Sequence, residues 1–108
     1  MIGAITVSCA SSNGKTLLIG GIPDQDASVL QERFNLLAEH LTEETGVTVK
    51  YVPSIDYAAV VTGFKTGDID MAWYGGLTGV QARLAVPNSI AIAQRPSDEK
   101  FLSAFIAK

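Results

Sequence analysis

The sequence has little of several residue types on which whole classes of function depend. It contains one cysteine, so neither an intrachain disulfide nor a pair of cysteine metal ligands can form within it. Its one histidine, His40, lies beside glutamates near the end of a predicted helix, a position typical of a solvated surface residue. Eight basic against eleven acidic side chains give a net charge of −3, so no basic footprint for nucleic acid or anionic lipid is expected.

Catalytic and membrane-spanning patterns are also missing. Ser11, Ser12 and Ser54 have no histidine partner in reach, and the aspartates of the predicted turns do not form an acid–base pair. No cluster has the spacing of metal ligands, and no apolar run approaches transmembrane length. The sequence therefore predicts a protein that is not an enzyme and that uses neither a metal nor a cofactor.

Cys9 lies between a short apolar stretch, residues 1–8, and a small, polar one, residues 10–15. This arrangement resembles a bacterial lipoprotein signal, in which the cysteine carries the lipid. It predicts a truncated signal and tether over residues 1–15, with the true start upstream of Met1, and a lipid anchor at Cys9. The alternative is a free cysteine in a frayed N-terminus.

Apolar runs and helical stripes alternate along the rest of the chain, in the order β-α-β-α-β-α-β-β. The first helix carries a stripe of Leu30, Phe34, Leu37 and Leu41, starts at a cap supplied by Asp26 or Ser28, and ends at Gly46. The other predicted elements are strands over 16–23, 47–53, 70–74, 89–93 and 101–107, a helix from the Asp56 cap to Gly67, and a helix over 77–85 that buries Val80 and Leu84.

This order predicts an α/β fold, with a mainly parallel sheet and helices on both faces. Ligands of such sheets lie beyond the carboxyl ends of the strands. Three loops are expected there, over residues 23–28, 53–57 and 74–78, and each leads directly into a helix N-terminus.

The same loops carry a resemblance to a known family. Gly-Ile-Pro-Asp-Gln at 21–25, Val-Pro-Ser-Ile-Asp-Tyr-Ala-Ala-Val at 52–60 and Gly-Asp-Ile-Asp-Met-Ala-Trp-Tyr-Gly-Gly at 67–76 resemble the phosphate/phosphite/phosphonate substrate-binding proteins of ABC importers. A subgroup associated with selenate shares nearly the same pattern. The likeness runs from about Leu17 to the C-terminus, and Gln81-Ala82-Arg83 and the tail from Gln94 continue it.

The resemblance implies lobe one of a type II periplasmic-binding-protein fold, over residues 16–108, incomplete because it ends at the crossover to a second lobe. It implies a periplasmic protein that binds a small oxyanion (phosphonate, phosphite, phosphate or selenate) and delivers it to an ABC permease. Tyr57 corresponds to the family's ligand-directed tyrosine, and Tyr74, Gly75 and Gly76 correspond to the loop lining the cleft floor. The rival interpretation is a partial gene product that keeps the scaffold and binds nothing.

The residue chemistry agrees with an anion site. Helix N-termini offer free N–H groups and a partial positive charge, glycines permit close backbone approach, and the Tyr57 phenol adds a donor. Trp73 and Tyr74 are adjacent on a strand, so we expect Trp73 in the core and Tyr74 toward the cleft. Gln94 ends the predicted fourth strand, where it lines the cleft or is an ordinary loop glutamine.

Overall fold

A computed structural model of the chain describes residues 14–108. Its elements follow one another as β1 (Leu17–Gly21), α1 (Ala27–Thr45), β2 (Val49–Tyr51), α2 (Tyr57–Thr66), β3 (Met71–Trp73), α3 (Gly76–Ala85) and a 3₁₀ turn, Pro96–Lys100. The first six elements confirm the predicted alternation of strands and helices.

The three strands form one parallel sheet with the order β2-β1-β3. Ile19 of β1 lies opposite Tyr51 of β2 and Met71 of β3, which fixes the register on both sides. Ile19 packs against Ala38 of α1, whereas a side chain at the next residue, Gly20, would point at Ile69 beside α2. Because neighbouring residues of a strand face opposite sides, α1 and α2 cover opposite faces of the sheet, as the predicted α/β class requires.

The core under α1 is built from small and branched side chains. Ile19, Ala38 and Val49 are buried, and Phe34 stacks on Tyr51 with ring centroids 4.7 Å apart. Leu30 is also buried, but Leu37, expected on the buried stripe, is 38% exposed. The buried stripe of α1 passes through Ala38 instead. Gly46 ends the helix in the left-handed conformation, which confirms the predicted C-terminal end.

The second face is closed by α2 and α3, which pack on each other. Val60 of α2 is fully buried, and α3 buries Thr78 and Ala82. The prediction that Val80 and Leu84 are the buried positions of α3 is wrong, since their exposed fractions are 57% and 77%. The helix is rotated so that its small residues meet α2, which allows the two helices to approach closely.

The predicted strands over 89–93 and 101–107 are also wrong, because both segments are irregular in the structure. Their apolar, β-branched composition favours an extended chain, but a strand exists only where a neighbouring strand supplies hydrogen bonds. Neither segment pairs with the free edge of β3, so Ile90, Ile92, Phe101 and Phe105 remain exposed.

The prediction of lipidation at Cys9 concerns a residue outside the described part of the chain, as does most of the predicted signal and tether over 1–15. Within residues 14–108, the structure contains no helix that is both long enough and apolar enough to cross a membrane.

Candidate functional site: the carboxyl edge of the sheet

The three predicted loops lie at one edge of the sheet, because all three strands run in the same direction. Hydrogen bonds tie the loops to neighbouring strands as they leave the sheet. The amide of Ile22 donates to the carbonyl of Trp73 at 3.0 Å, and the amide of Val52 donates to the carbonyl of Ile19 at 2.8 Å. The structure therefore confirms that these turns converge, and the N-termini of α1, α2 and α3 converge with them.

The start of α2 presents Tyr57 to solvent. Asp56 occupies the cap position, and its carboxylate accepts a hydrogen bond from the amide of Ala59 at 2.7 Å. The amides of Tyr57 and Ala58 precede the helical ladder and have no carbonyl one turn earlier to bind. As a whole residue, Tyr57 is 46% exposed. It is therefore not packed into the core.

The start of α3 is an open glycine corner. The amide of Gly75 donates to the hydroxyl of buried Thr78 at 3.2 Å, and the amide of Gly79 begins the helical ladder by donating to the carbonyl of Gly75 at 2.9 Å. A Cβ atom added at Gly76 would meet no atom within 4 Å. The Thr78 hydroxyl therefore holds the residue that precedes the helix, and the space beside Gly76 is free of other atoms.

Tyr74 has a different environment from the one predicted. Its hydroxyl donates to the carbonyl of Val60 in α2 at 3.3 Å, and its ring meets Phe64 edge to face with centroids 6.0 Å apart. Burial raises the pKa of Tyr74 to about 12. The predicted orientation of this side chain toward the cleft is wrong, because it packs against α2. What Tyr74 contributes to the edge is its backbone.

The start of α1 is the most acidic of the three. Asp24 and Asp26 lie in the β1–α1 loop, and Arg33 donates to the side-chain oxygen of Gln25 at 2.8 Å rather than to either carboxylate. Like charge disfavours a second anion beside these aspartates. The start of α2 carries one such carboxylate, Asp56, and the start of α3 carries none, so an anion is best placed at the start of α3.

Arg95 is a feature of this edge that the sequence did not indicate. Its guanidinium carbon lies 5.0 Å from the centre of the Trp73 ring, at the carboxyl end of β3. Trp73 is half-buried with Arg95 over its ring, and its expected core orientation stays a prediction. Gln94, next to Arg95, is exposed in an irregular segment and does not end a strand. No local pattern relates residues 73 and 95, so the contact is visible only in three dimensions.

The groups that this edge offers to a ligand are mainly hydrogen-bond donors. The starts of α2 and α3 supply backbone N–H groups and the positive ends of two helix dipoles, and Tyr57 adds a phenolic hydroxyl, whereas the Gly75 amide is engaged with Thr78. Within residues 14–108 no three His, Cys, Asp or Glu side chains are grouped as a metal site would require. The arrangement supplies donors to an oxygen-rich ligand that presents acceptors.

Comparisons with known proteins agree with this description. The family described as "ABC transporter, phosphonate, periplasmic substrate-binding protein" matches residues 19–108. A protein of Prochlorococcus marinus, named as a probable ABC transporter phosphite binding protein, PhnD1, is 56% identical over 95 residues, which are 88% of this chain and 32% of the relative. A phosphate-import protein of Mycolicibacterium smegmatis is 34% identical over 68 residues, covering 63% of this chain and 21% of the relative.

The fold is shared as well. The crystal structure of the Prochlorococcus protein in complex with methylphosphonate matches with a TM-score of 0.78 and 56% identity, over 79% of this chain and 31% of that one. The chain thus spans about a third of the length of this relative. Since the family match extends over most of the chain, the protein belongs to the periplasmic substrate-binding proteins of phosphonate ABC transporters.

Proposed function

We propose that this chain forms one wall of an oxyanion site in the solute-binding component of an ABC importer, with phosphonates and phosphite as the solutes. The observation that carries the proposal is that the starts of α2 and α3 and a half-exposed tyrosine, Tyr57, lie at one edge of a parallel sheet. Backbone N–H groups at helix N-termini bind tetrahedral oxyanions without needing a basic side chain. The net charge of −3 is compatible with such a site.

The names of the relatives narrow the chemical class. They refer to phosphite, phosphate and methylphosphonate, which share a tetrahedral phosphorus centre and differ in one substituent. In this proposal the amides at the starts of α2 and α3 hold the oxygens, and the Tyr57 ring and hydroxyl lie against the ligand. Selenate presents a similar set of oxygens and belongs to the same proposal.

A single wall gives low affinity on physical grounds. Each helix terminus contributes about 0.3–1 kcal/mol to an exposed anion. A hydrogen bond from Tyr57 to a charged oxygen adds about 1.5–3 kcal/mol. For two helix termini and one phenol the sum is about 2–5 kcal/mol, which corresponds to a dissociation constant between about 0.2 and 30 mM. Tight binding therefore requires a second wall that closes over the ligand, and this differential contact would drive closure.

Two further assignments follow from the family membership: in the proposal, the protein works in the periplasm and delivers its ligand to a permease. A third rests on the sequence around Cys9, which the proposal takes as a lipid attachment point. Uptake of label from a radioactive lipid precursor, lost in Cys9→Ser, tests the anchor. An unlabelled chain would contradict it.

A second candidate is a scaffold that binds no solute. Asp56 favours it, because its carboxylate already accepts from one N–H group at the start of α2 and adds negative charge there. The two candidates differ in a direct measurement on the chain.

The test is a nuclear magnetic resonance titration of the chain with methylphosphonate and with phosphite. The proposal expects amide shifts at residues 57–58 and 75–78, saturating in the millimolar range. Gly76→Ala places a Cβ in the open space at the helix start and should weaken binding without unfolding the chain. Gly79→Ala is the matched control, since its Cβ would make ordinary contact with Tyr74 at 3.5 Å. An absence of shifts at these residues would support the scaffold.

A second experiment supplies the opposite wall. Residues 17–108 are exchanged into the Prochlorococcus relative, whose remaining length provides the rest of the cleft. The chimera is expected to bind methylphosphonate, and Tyr57→Phe, which keeps the ring but removes the donor, should weaken binding about tenfold or more. Equal affinity of the chimera and its Tyr57→Phe variant would remove Tyr57 from the site.

A further inference from the structure

The segment that follows α3 is attached to the sheet in one place. Residues 90–108 are almost entirely exposed and form no regular element except the short turn Pro96–Lys100. Within the described chain, the hydrogen bonds, ion pairs and ring contacts of this segment include a single one that reaches the sheet, from Arg95 to Trp73. The position of this segment at the carboxyl edge therefore depends on one side chain.

Arg95 is held in a defined orientation by its own turn. Its Nε and Nη2 groups donate to the two oxygens of Asp98 at 2.9 and 2.8 Å, a bidentate geometry that fixes the plane of the guanidinium. The amide of Asp98 in turn donates to the carbonyl of Arg95 at 3.0 Å, and Pro96 restricts the backbone between them. The turn therefore presents a rigid cationic plane, which lies over the Trp73 ring.

The hydrogen bond and the charge of Asp98 raise the pKa of Arg95, and the negative charge of Asp24 in the β1–α1 loop adds a smaller effect in the same direction. The contact that places Arg95 at the edge is the stack on Trp73. Gln94 precedes Arg95 by one residue, so it is confined wherever Arg95 is confined.

We infer that Arg95 is a positioning residue that straps residues 94–98 across the carboxyl end of β3 and so holds Gln94 at the rim of the oxyanion wall. We call residues 94–98, held by the stack of Arg95 on Trp73, the strap. Its existence is inferred from the geometry of Trp73, Arg95 and Asp98, whereas the role of Gln94 rests on the proposed function. A guanidinium stack at an exposed site shifts a two-state equilibrium about two- to fivefold. A mutation that weakens the stack should therefore favour an open form, in which the segment is detached from Trp73, over the closed form of the structure.

The strap is measured first without ligand. Trp73 is the only tryptophan in the sequence, so its fluorescence and ring-current effects report on one site. The stack shifts the side-chain proton resonances of Arg95 upfield and shields the indole from a soluble quencher. Asp98→Asn leaves Arg95 and Trp73 in place but weakens the fork. It should raise the population of the open form about two- to fivefold, so that the Arg95 protons shift less upfield and the indole is quenched more. Arg95→Lys should do the same, because lysine lacks the planar fork.

Glu99→Gln is the matched control, since it also removes a negative charge from the same turn without touching the stack. Unshifted Arg95 resonances in the parent chain, or equal effects of Asp98→Asn and Glu99→Gln, would overturn the strap. If the strap is present, phosphite is added and the Gln94 side-chain amide is followed. The inference expects it to shift in the parent chain and to shift less in Asp98→Asn.

The two proposals fail differently. A Gln94 amide that does not respond while Tyr57 and Gly76 do would overturn the positioning role and leave the oxyanion wall intact. If neither Tyr57 nor Gly76 responds, the oxyanion wall fails, and the assignment of Gln94 fails with it, while the ligand-free signals of Trp73 still decide whether the strap exists.

Discussion

Asp70 fastens β3 to β1 at the amino end of the sheet, and its removal should destabilise the fold more than any ion pair on the surface. One carboxylate oxygen accepts from the amide of Leu18 at 2.9 Å, and the other accepts from the ammonium of Lys15 at 2.6 Å. The amide of Asp70 returns a hydrogen bond to the carbonyl of Leu18 at 2.8 Å. The Asp70 side chain is 15% exposed, whereas that of Lys15 is 78% exposed.

These exposures decide which contact matters. An ion pair with a partner as exposed as Lys15 contributes about 0–1 kcal/mol. A hydrogen bond between a charged group and a part-buried amide contributes about 1.5–3 kcal/mol, and its loss leaves the Leu18 amide without an acceptor. We therefore expect Asp70→Ala to lower the free energy of unfolding by about 2–3 kcal/mol, and Lys15→Met to lower it by about 1 kcal/mol or less.

The pH dependence gives a second check. The hydrogen bond from Lys15, then that from the Leu18 amide, lower the pKa of Asp70 in the folded chain. The folded pKa is below the unfolded value of about 3.9, so this contribution is fully present above about pH 4. It is lost as the pH falls through the folded pKa. The stability difference between the parent chain and Asp70→Ala should therefore shrink in acid.

The measurement is urea unfolding followed by circular dichroism, at neutral pH and in steps below about pH 4. Asp68→Ala is the control, because this exposed neighbour accepts only from the Thr66 hydroxyl in the structure. Equal losses for Asp70→Ala and Lys15→Met would show that the ion pair, not the amide, carries the interaction. A difference that persists unchanged in acid would refute the assignment to the ionised carboxylate.

Three other changes test the packing. Gly21→Ala places a Cβ into the ring of Phe34 and should cost about 1–3 kcal/mol, measured by thermal unfolding. Thr42→Val removes the hydroxyl that accepts from the amide of Val49 at 2.9 Å and should cost about 1–3 kcal/mol by urea unfolding; a cost near zero would contradict it. Tyr74 ionises at a pKa of about 12, above the unfolded value of 10, so stability should fall as the pH rises above about 10, and Tyr74→Phe should reduce that fall in alkaline urea titrations.

The helix boundaries could be predicted because their signals are local. Asp56 caps α2 through a hydrogen bond to a residue three positions away, and Gly46 and Gly67 end helices in the left-handed conformation that glycine adopts without strain. Each of these interactions is complete within one helical turn. The sequence contains all the information that such an interaction needs.

Strand pairing and helix rotation depend on distant residues, and there the sequence was a weaker guide. Residues 89–93 have the composition of a strand, but whether they form one depends on the free edge of β3, which lies elsewhere in the chain. The burial of Thr78 and Ala82 rather than Val80 and Leu84 reflects how closely α3 approaches α2. Hydropathy ranks Val80 and Leu84 as more apolar than Thr78 and Ala82. Where α3 packs closely on α2, however, the small side chains occupy the contact.

The candidate site shows the same difference between residues set by local signals and residues set by distant contacts. Tyr57 follows a cap and opens a helix, so its exposure at the carboxyl edge follows from local rules, and the structure places it there. Tyr74 sits one residue beyond a strand, and its direction was decided by an acceptor, the carbonyl of Val60, that belongs to another helix. With Tyr74 packed against α2 and Tyr51 stacked on Phe34, Tyr57 is the exposed tyrosine at this edge. A ligand here would therefore be held by one phenol and by backbone amides, which ties affinity to the integrity of two helix starts.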